Sequence, residues 1–333
     1  MAPKSTPQIV FGTMTFGTGV GGRISDLGTV QKVLDVFSSH GGTELDTARV
    51  YCQGNTEEVL GQLQVQKKYK LATKVAPQKP GDHQPERLKA QFRASLKALK
   101  TNYVDILYLH APDRPTPFED TCRAMNELHK EGLFGEFAIS NYCAWEVVEI
   151  YMICKANGWV LPTIYQGMYN GITRDCEDDL LPCLKKYGIR FYAYNVGAGG
   201  LLSGHYKFEE TPTDGRYGAH SQGAQYRQRY WNDTYFKAID VVVNACKKAN
   251  ITPIGAAHRW LLHHSKLDFS DAIIIGASSV KHAQENLDAC EAGPLPQSVL
   301  DAFDDAWLQS KSLCPTYHRG GPVPRAFYGS PRL

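Results

Sequence analysis

Short runs of apolar, β-branched or aromatic residues alternate along this chain with longer runs whose apolar positions recur every three or four residues. The first pair is IVFG (9–12) and DLGTVQKVLDVFSSHGG (26–42). In the longer run Val30, Val33, Leu34 and Phe37 fall on one helical face, and the two glycines end it. TELDT (43–47) precedes TEEVLGQL (56–63), and KLATK (70–74) precedes PERLKAQFRASLKALK (85–100), with proline at the first helical position. VDILYLH (104–110) precedes PFEDTCRAMNELHKEG (117–132), and GEFAIS (135–140) precedes AWEVVEIYMICKANG (144–158). PTIYQ (162–166) is followed by CEDDLLPCLKKYG (176–188). IRFYAYN (189–195) is followed by a long polar loop and then WNDTYFKAIDVVVNACKKAN (231–250). DAIIIGAS (271–278) and SVKHAQENLDAC (279–290) make the last pair.

Eight strand-then-helix units predict βαβ crossovers and a parallel sheet, and hence an α/β fold of the TIM (β/α)8 type. Two extra helical runs remain, 252–264 and 296–309. Residues 1–333 read as a single barrel domain, in which 310–333 form a tail, rich in Pro, Gly and Arg, near the substrate mouth.

Composition narrows the class without changing the fold. With 333 residues, 43% hydrophobic and 21% charged, the chain can bury a large core. A net charge of +2 gives no general attraction for nucleic acid. Nine scattered cysteines without a CxxC suit free thiols in a reducing compartment. The start, MAPKSTPQIVFG, has no apolar leader and no run approaches 18 apolar residues, so a soluble cytoplasmic protein without a membrane partner is expected. No histidine–carboxylate spacing resembles a zinc site, so no metal is expected. His263 and His264 end a helical run, where they would serve as C-terminal cations.

The barrel gives meaning to the polar residues at strand ends, because active sites in this fold sit at the C-terminal ends of the strands. Asp46, Lys74 and His110 close the second, third and fourth strands, and Tyr51 follows in the loop after the second. A phenol is a weak acid, with an ordinary pKa of about 10. A nearby ammonium lowers it, a carboxylate holds that ammonium charged, and an imidazole can orient a substrate oxygen. Together they suit protonation of an alkoxide forming from a carbonyl. The plainer reading is a structural Asp46–Lys74 ion pair with Tyr51 and His110 incidental. Cys52, next to the presumed acid, would be an oxidation-sensitive thiol. GTGVGG (17–22) matches the GxGxxG dinucleotide fingerprint, but eight units with polar strand tips argue for a flexible βα loop instead.

The segments GGTELDTARVY, LYLHAPD, SNYCAWEV, PTIYQGMYNGITR, RFYAYN, AGGLLSGHY, RQRYW and CPTYHR resemble the aldo-keto reductases over nearly the whole chain. They look most like the aflatoxin-aldehyde and succinic-semialdehyde reductase branch. The resemblance implies reduction of an aldehyde or ketone by NADPH, with Tyr51 as general acid, Lys74 lowering its pKa, Asp46 pairing Lys74 and His110 orienting the carbonyl. Ser140, Asn141 and Gln166 match positions that hold the nicotinamide carboxamide, and Tyr194 the aromatic stacked on its ring. The loop from Asn195 to His205, including Gly199, Leu201 and Gly204, matches a flap over the pyrophosphate together with Arg216. Gly276, Ser278, Ser279, Lys281, Gln284, Glu285 and Asn286 match the adenosine-phosphate end. A helix N-terminus there attracts anions, although a plain serine N-cap would look the same. Tyr226 and Arg229, on a loop over the mouth, and Arg319 of the tail would meet the substrate. A guanidinium fork suits a carboxylate, while most arginines are solvated surface charges. Homodimers are common in this branch. The potassium-channel β subunits, which share the fold and bind the cofactor as regulatory partners, are the alternative.

Three departures stand out. Val196 and Gly197 replace a common Pro-Leu, which would loosen the flap. His205 and His282 replace basic residues near the expected phosphates. The chain also continues past Arg319 as GGPVPRAFYGSPRL.

Overall fold

The computed structural model describes residues 6–213, 215–219 and 221–319. Eight parallel strands close into one barrel in chain order, the eighth pairing with the first. They are β1 (Gln8–Gly12), β2 (Glu44–Asp46), β3 (Lys70–Val75), β4 (Val104–Leu109), β5 (Phe134–Ser140), β6 (Pro162–Met168), β7 (Arg190–Tyr194) and β8 (Ala272–Ile275). Around them lie α1 (Leu27–Ser39), α2 (Asn55–Gln62), α3 (Pro85–Ala98), α4 (Phe118–Lys130), α5 (Ala144–Asn157) and α6 (Leu180–Tyr187). The later helices are α7 (Ser221–Tyr230), α8 (Asp233–Lys248), α9 (Pro253–His263), α10 (Val280–Glu291) and α11 (Gln297–Ser310).

The alternation of side chains along each strand separates two cores. Val10, Ala72, Ile106, Tyr108, Ala138, Ile164, Tyr192, Ala272 and Ile274 fill the barrel interior. Outward neighbours such as Phe11, Leu45, Leu71, Leu107, Phe137, Tyr165 and Phe191 meet the buried faces of the helices. The α1 helix begins where the Thr29 N–H donates to Asp26 Oδ2 at 2.7 Å and buries Val30, Val33, Leu34 and Phe37 as its period requires. It ends at Gly41, whose φ of +75° is the left-handed conformation glycine tolerates.

Two expectations change. The polar loop after β7 contains a helix, α7, so Tyr226 and Arg229 stand on a helix rather than a loop. Its sequence is polar nearly all round and has no apolar stripe to announce it. Contacts outside the helix hold it: Arg227 Nη1 donates to the carbonyls of Tyr217 and Gly218, and Tyr230 is fully buried. Nor do His263 and His264 act as cations. Burial, then Arg259, lowers the pKa of His263; burial, then His263 and Arg259, lowers that of His264. His264 Nε2 accepts from the Leu295 N–H at 2.8 Å, a role a doubly protonated ring cannot fill. Of the tail, 310–319 is described; 320–333, the run GGPVPRAFYGSPRL, lies outside the described residues.

Candidate active site

Stepping two residues toward the C-terminal end from the interior core lands on the polar layer at the mouth. Ala72 leads to Lys74, Tyr108 to His110, Ala138 to Ser140, Ile164 to Gln166 and Tyr192 to Tyr194. On β2, Glu44 leads to Asp46 in the same way. The site is therefore the top layer of the barrel interior, built by the two-residue period of the strands.

Asp46, Lys74 and His110 do meet. Lys74 Nζ donates to Asp46 Oδ1 at 2.5 Å and to the Thr47 carbonyl at 2.8 Å. Gln166 Nε2 donates to the other carboxylate oxygen of Asp46 at 2.8 Å. Lys74 is fully buried; burial lowers its pKa, while Asp46 and Glu57 work the other way. Tyr51 opens a tight 3-10 turn, Tyr51–Gly54, after β2, with Cys52 and Gln53 at positive φ. Its ring stands edge-on to that of His110, centroids 5.9 Å apart, and Lys74 Nζ lies 5.2 Å from its centroid. Burial, with Lys74, Arg319 and His83 adding, holds the His110 pKa well below its ordinary value, so the ring is neutral at pH 7. Its Nδ1 is buried and has no partner among the described residues.

The expected direction for Tyr51 is overturned. Burial raises its phenol above the ordinary range and Asp46 adds to the rise, while Arg216 and Arg319 pull it down. The acidified phenol is Tyr226: burial works against it, but Arg216, Arg229 and Arg319 prevail. Arg216 Nη1 donates to the Tyr226 hydroxyl at 3.2 Å, and the guanidiniums of Arg216 and Arg229 each lie 5.6 Å from its ring centroid. Arg216, matched above to the pyrophosphate flap, thus stands at the mouth beside Met14 and Tyr226. Arg319 is half-buried, faces Tyr194, Tyr226 and Tyr51, and leaves its Nε without a partner among the described residues.

Residues matched to the nicotinamide positions are hydrogen-bonded to one another. Asn141 Nδ2 donates to Ser140 Oγ and to the His110 carbonyl, both at 2.8 Å, and its Oδ1 accepts from the Tyr194 hydroxyl at 2.8 Å. Asn195 Nδ2 donates to the Tyr230 hydroxyl at 2.7 Å. In the flap, Leu201 is buried, and a Cβ on Gly199 would lie 2.6 Å from the Tyr226 ring. Gly199 and Gly204 have positive φ. Val196 is buried and a Cβ on Gly197 would lie 2.9 Å from Ile254, so packing anchors the entry to the flap despite the missing proline.

The residues matched to the adenosine end lie at an exposed helix start. Ser279 Oγ caps α10 by accepting from the His282 N–H at 3.1 Å, and Ser278 Oγ pairs with His282 Nδ1 at 2.9 Å. Lys281 lies 3.6 Å from Glu285, and Asn286 Nδ2 donates to the Gly276 carbonyl at 3.0 Å. Gln284 turns to His40 and Asp288, away from the cap. A helix N-terminus with serines and a lysine at one end, and the unpartnered His110 Nδ1 and Arg319 Nε at the mouth, fit a long ligand with an anionic end and a polar head. Cys52 is buried, and burial raises its thiol pKa, which argues against a sensitive thiolate. GTGVGG lies over the Tyr51 turn: Cβ atoms on Gly17 and Gly19 would strike Asn55 and Gln53. The closed barrel leaves no place for the Rossmann reading.

Residues 8–308 match the Aldo/keto reductase family. The chain belongs to that family. It is 43% identical over 327 residues to aflatoxin B1 aldehyde reductase member 2 of Mus musculus, covering 94% of this chain and 88% of the relative. It is 43% identical over 330 residues to aldo-keto reductase family 7 member A3 of Homo sapiens, covering 95% and 98%. A glycerol dehydrogenase from Gluconobacter oxydans shares the fold, with a TM-score of 0.71 at 22% identity over 97% of this chain and 99% of that one. As an aldo-keto reductase of the aflatoxin-aldehyde branch, the chain is an oxidoreductase acting on small carbonyl compounds with a nicotinamide cofactor. No helix among the described residues is long and apolar enough to cross a membrane. Sequence reasoning did not single out Arg114, Glu146 and Tyr317, which tie the tail to the mouth. The faint signal is the Cys143-x-x-Glu146 capping box.

Proposed function

We propose that this aldo-keto reductase reduces an aldehyde or ketone to an alcohol with NADPH, Tyr51 giving the proton. The observation that carries the reading is the convergence of a buried, paired Lys74, a neutral His110 and the Tyr51 ring within one layer at the strand tips. When bound, the nicotinamide supplies the hydride. Ser140, Asn141, Gln166 and Tyr194 would hold its head, the 195–205 flap its middle, and Ser278, Ser279 and Lys281 its phosphate end.

The chain's own groups supply the rest. Neutral His110 donates a hydrogen bond to the carbonyl oxygen and fixes it beside the Tyr51 hydroxyl. The raised pKa keeps Tyr51 protonated until charge builds on that oxygen, and an alkoxide is basic enough to take the proton. Arg216 and Arg319 then stabilise the phenolate. Lys74, held by Asp46, keeps a fixed positive charge beneath the ring. Tyr226, Arg229 and Arg319 line the substrate side and favour carbonyls that carry a carboxylate.

The test is Tyr51→Phe. Carbonyl reduction should fall by ~10²–10⁴-fold while NADPH still binds, as read by quenching of protein fluorescence. Near-full turnover with intact binding would sink the assignment.

A further inference from the structure

The tail crosses three loops at the barrel mouth. Tyr317 is buried, its N–H donating to Asp175 Oδ2 at 3.1 Å. Its hydroxyl donates to Asp179 Oδ2 at 2.7 Å and accepts from the Ala144 N–H at 3.1 Å. Two residues on, the Arg319 N–H donates to the Asn141 carbonyl at 3.0 Å. The Arg319 carbonyl accepts from Arg114 Nη1 at 2.9 Å.

Arg114, in the loop between β4 and α4, is itself gripped. Its Nε and Nη2 donate to the two carboxylate oxygens of Glu146 at 2.6 and 3.1 Å. Glu146 is fully buried, and its Oε2 also accepts from the Cys143 N–H at 2.7 Å at the start of α5. A guanidinium held as a fork on a fixed carboxylate has a single orientation, so the N–H donor of its remaining nitrogen, Nη1, is aimed. Here that donor points at the tail. The Arg319 backbone is thus held at both its N–H and its C=O, one bond running to the loop that carries Asn141. From this mounting the Arg319 side chain faces Tyr194, Tyr226 and Tyr51.

We infer that Arg114 is a positioning residue: locked on Glu146, it fixes the Arg319 backbone and so aims the Arg319 guanidinium at a substrate carboxylate. The inference rests on the reading that Arg319 meets the substrate. A flexible tail would otherwise spread that guanidinium over many orientations, and the loss of ordering would show in substrate affinity rather than in the chemical step.

The experiment is steady-state kinetics of the full-length chain as wild type, R114Q, R319Q and the double variant. One substrate is an aldehyde bearing a carboxylate and the other a neutral aromatic aldehyde. R114Q should raise KM for the carboxylate-bearing aldehyde about tenfold, with its kcat and the neutral aldehyde's KM within about twofold. Placed on R319Q, it should add less than about twofold, because both changes remove one interaction. If R319Q discriminates between the aldehydes but R114Q does not, or the two effects multiply, the positioning role is overturned while the Arg319 reading stands. If R319Q does not discriminate, the Arg319 reading falls and takes the inference with it. Should R114Q fail to fold, R114K keeps a charge on Glu146 but not the aimed third donor. It should show the same selective rise in KM, and a wild-type KM there overturns the proposal.

Discussion

Glu44→Gln tests how the barrel interior handles charge. Glu44 opens β2 two residues before Asp46 on the same inward face, at the opposite end of the barrel from the mouth. It is 4% exposed, and its Oε1 has no hydrogen-bond partner among the described residues. Burial pushes its carboxyl from 4.5 up to about 7, with Lys70 and Arg190 opposing and Asp46 and Glu136 adding. Below 4.5 both folded and unfolded chains carry the proton, and the group is neutral to stability. Between the two values only the folded chain keeps it, so stability is lost as pH rises through that window and stays lost above it. At about 1.36 kcal/mol per pH unit, the penalty is about 1 kcal/mol at pH 5 and about 3 kcal/mol at pH 8. Glutamine has nearly the same shape and no proton to lose. The unfolding free energy of E44Q relative to wild type should therefore rise by about 2–3 kcal/mol between pH 5 and pH 8. Urea unfolding of both proteins at pH 5, 6, 7 and 8, followed by tryptophan fluorescence, measures this. Two curves that stay parallel across the range would refute the buried carboxylate's raised pKa.

Three further outcomes follow from particular contacts. Asp46→Asn leaves a fully buried ammonium without its carboxylate. It should lose ~3–5 kcal/mol of stability and most of its carbonyl reduction, and a wild-type melting temperature would contradict the pairing. Arg229→Ala should raise KM for carboxylate-bearing aldehydes about tenfold or more and for neutral aldehydes much less, since charge-assisted hydrogen bonds are worth ~1.5–3 kcal/mol; equal effects on both would remove the carboxylate idea. Gly61→Ala improves helix propensity but puts a Cβ 2.2 Å from the Ala98 carbonyl oxygen and 2.9 Å from the Leu99 backbone. Thermal unfolding should show a loss of ~1–3 kcal/mol, and a gain would mean that α2 and α3 can part cheaply.

Much of this was readable from the chain itself. The eight units, and nearly every element boundary, follow from whether apolar residues recur every second or every third to fourth position. That period reflects which faces can be buried without stranding polar groups. The polar strand tips were legible for the same reason. Asp46, Lys74 and His110 sit in step with inward residues such as Ala72 and Tyr108, so a closed barrel had to bring them together. The helix α7 was not legible, because a polar helix leaves no periodic trace and is held by contacts outside it, to Tyr217 and Gly218 just before it and to Asn195 at the end of β7.

The direction of each ionisation was decided only in three dimensions. Tyr51 beside Lys74 suggests an acidified phenol in sequence. In space burial dominates Tyr51, and Arg229 of the same helix, Arg216 ten residues back and Arg319 of the tail acidify Tyr226 instead. The tail shows the same division. Its arginine could be named from the chain, but the residues that hold Arg319 in place come from the loops after β4 and β5. Sequence alone determined the repeating backbone and which chemical groups stand at its strand ends, because burial period is a local property. Tertiary structure decided the charges and aim of those groups, because desolvation and Coulomb forces depend on everything nearby, however distant it is along the chain.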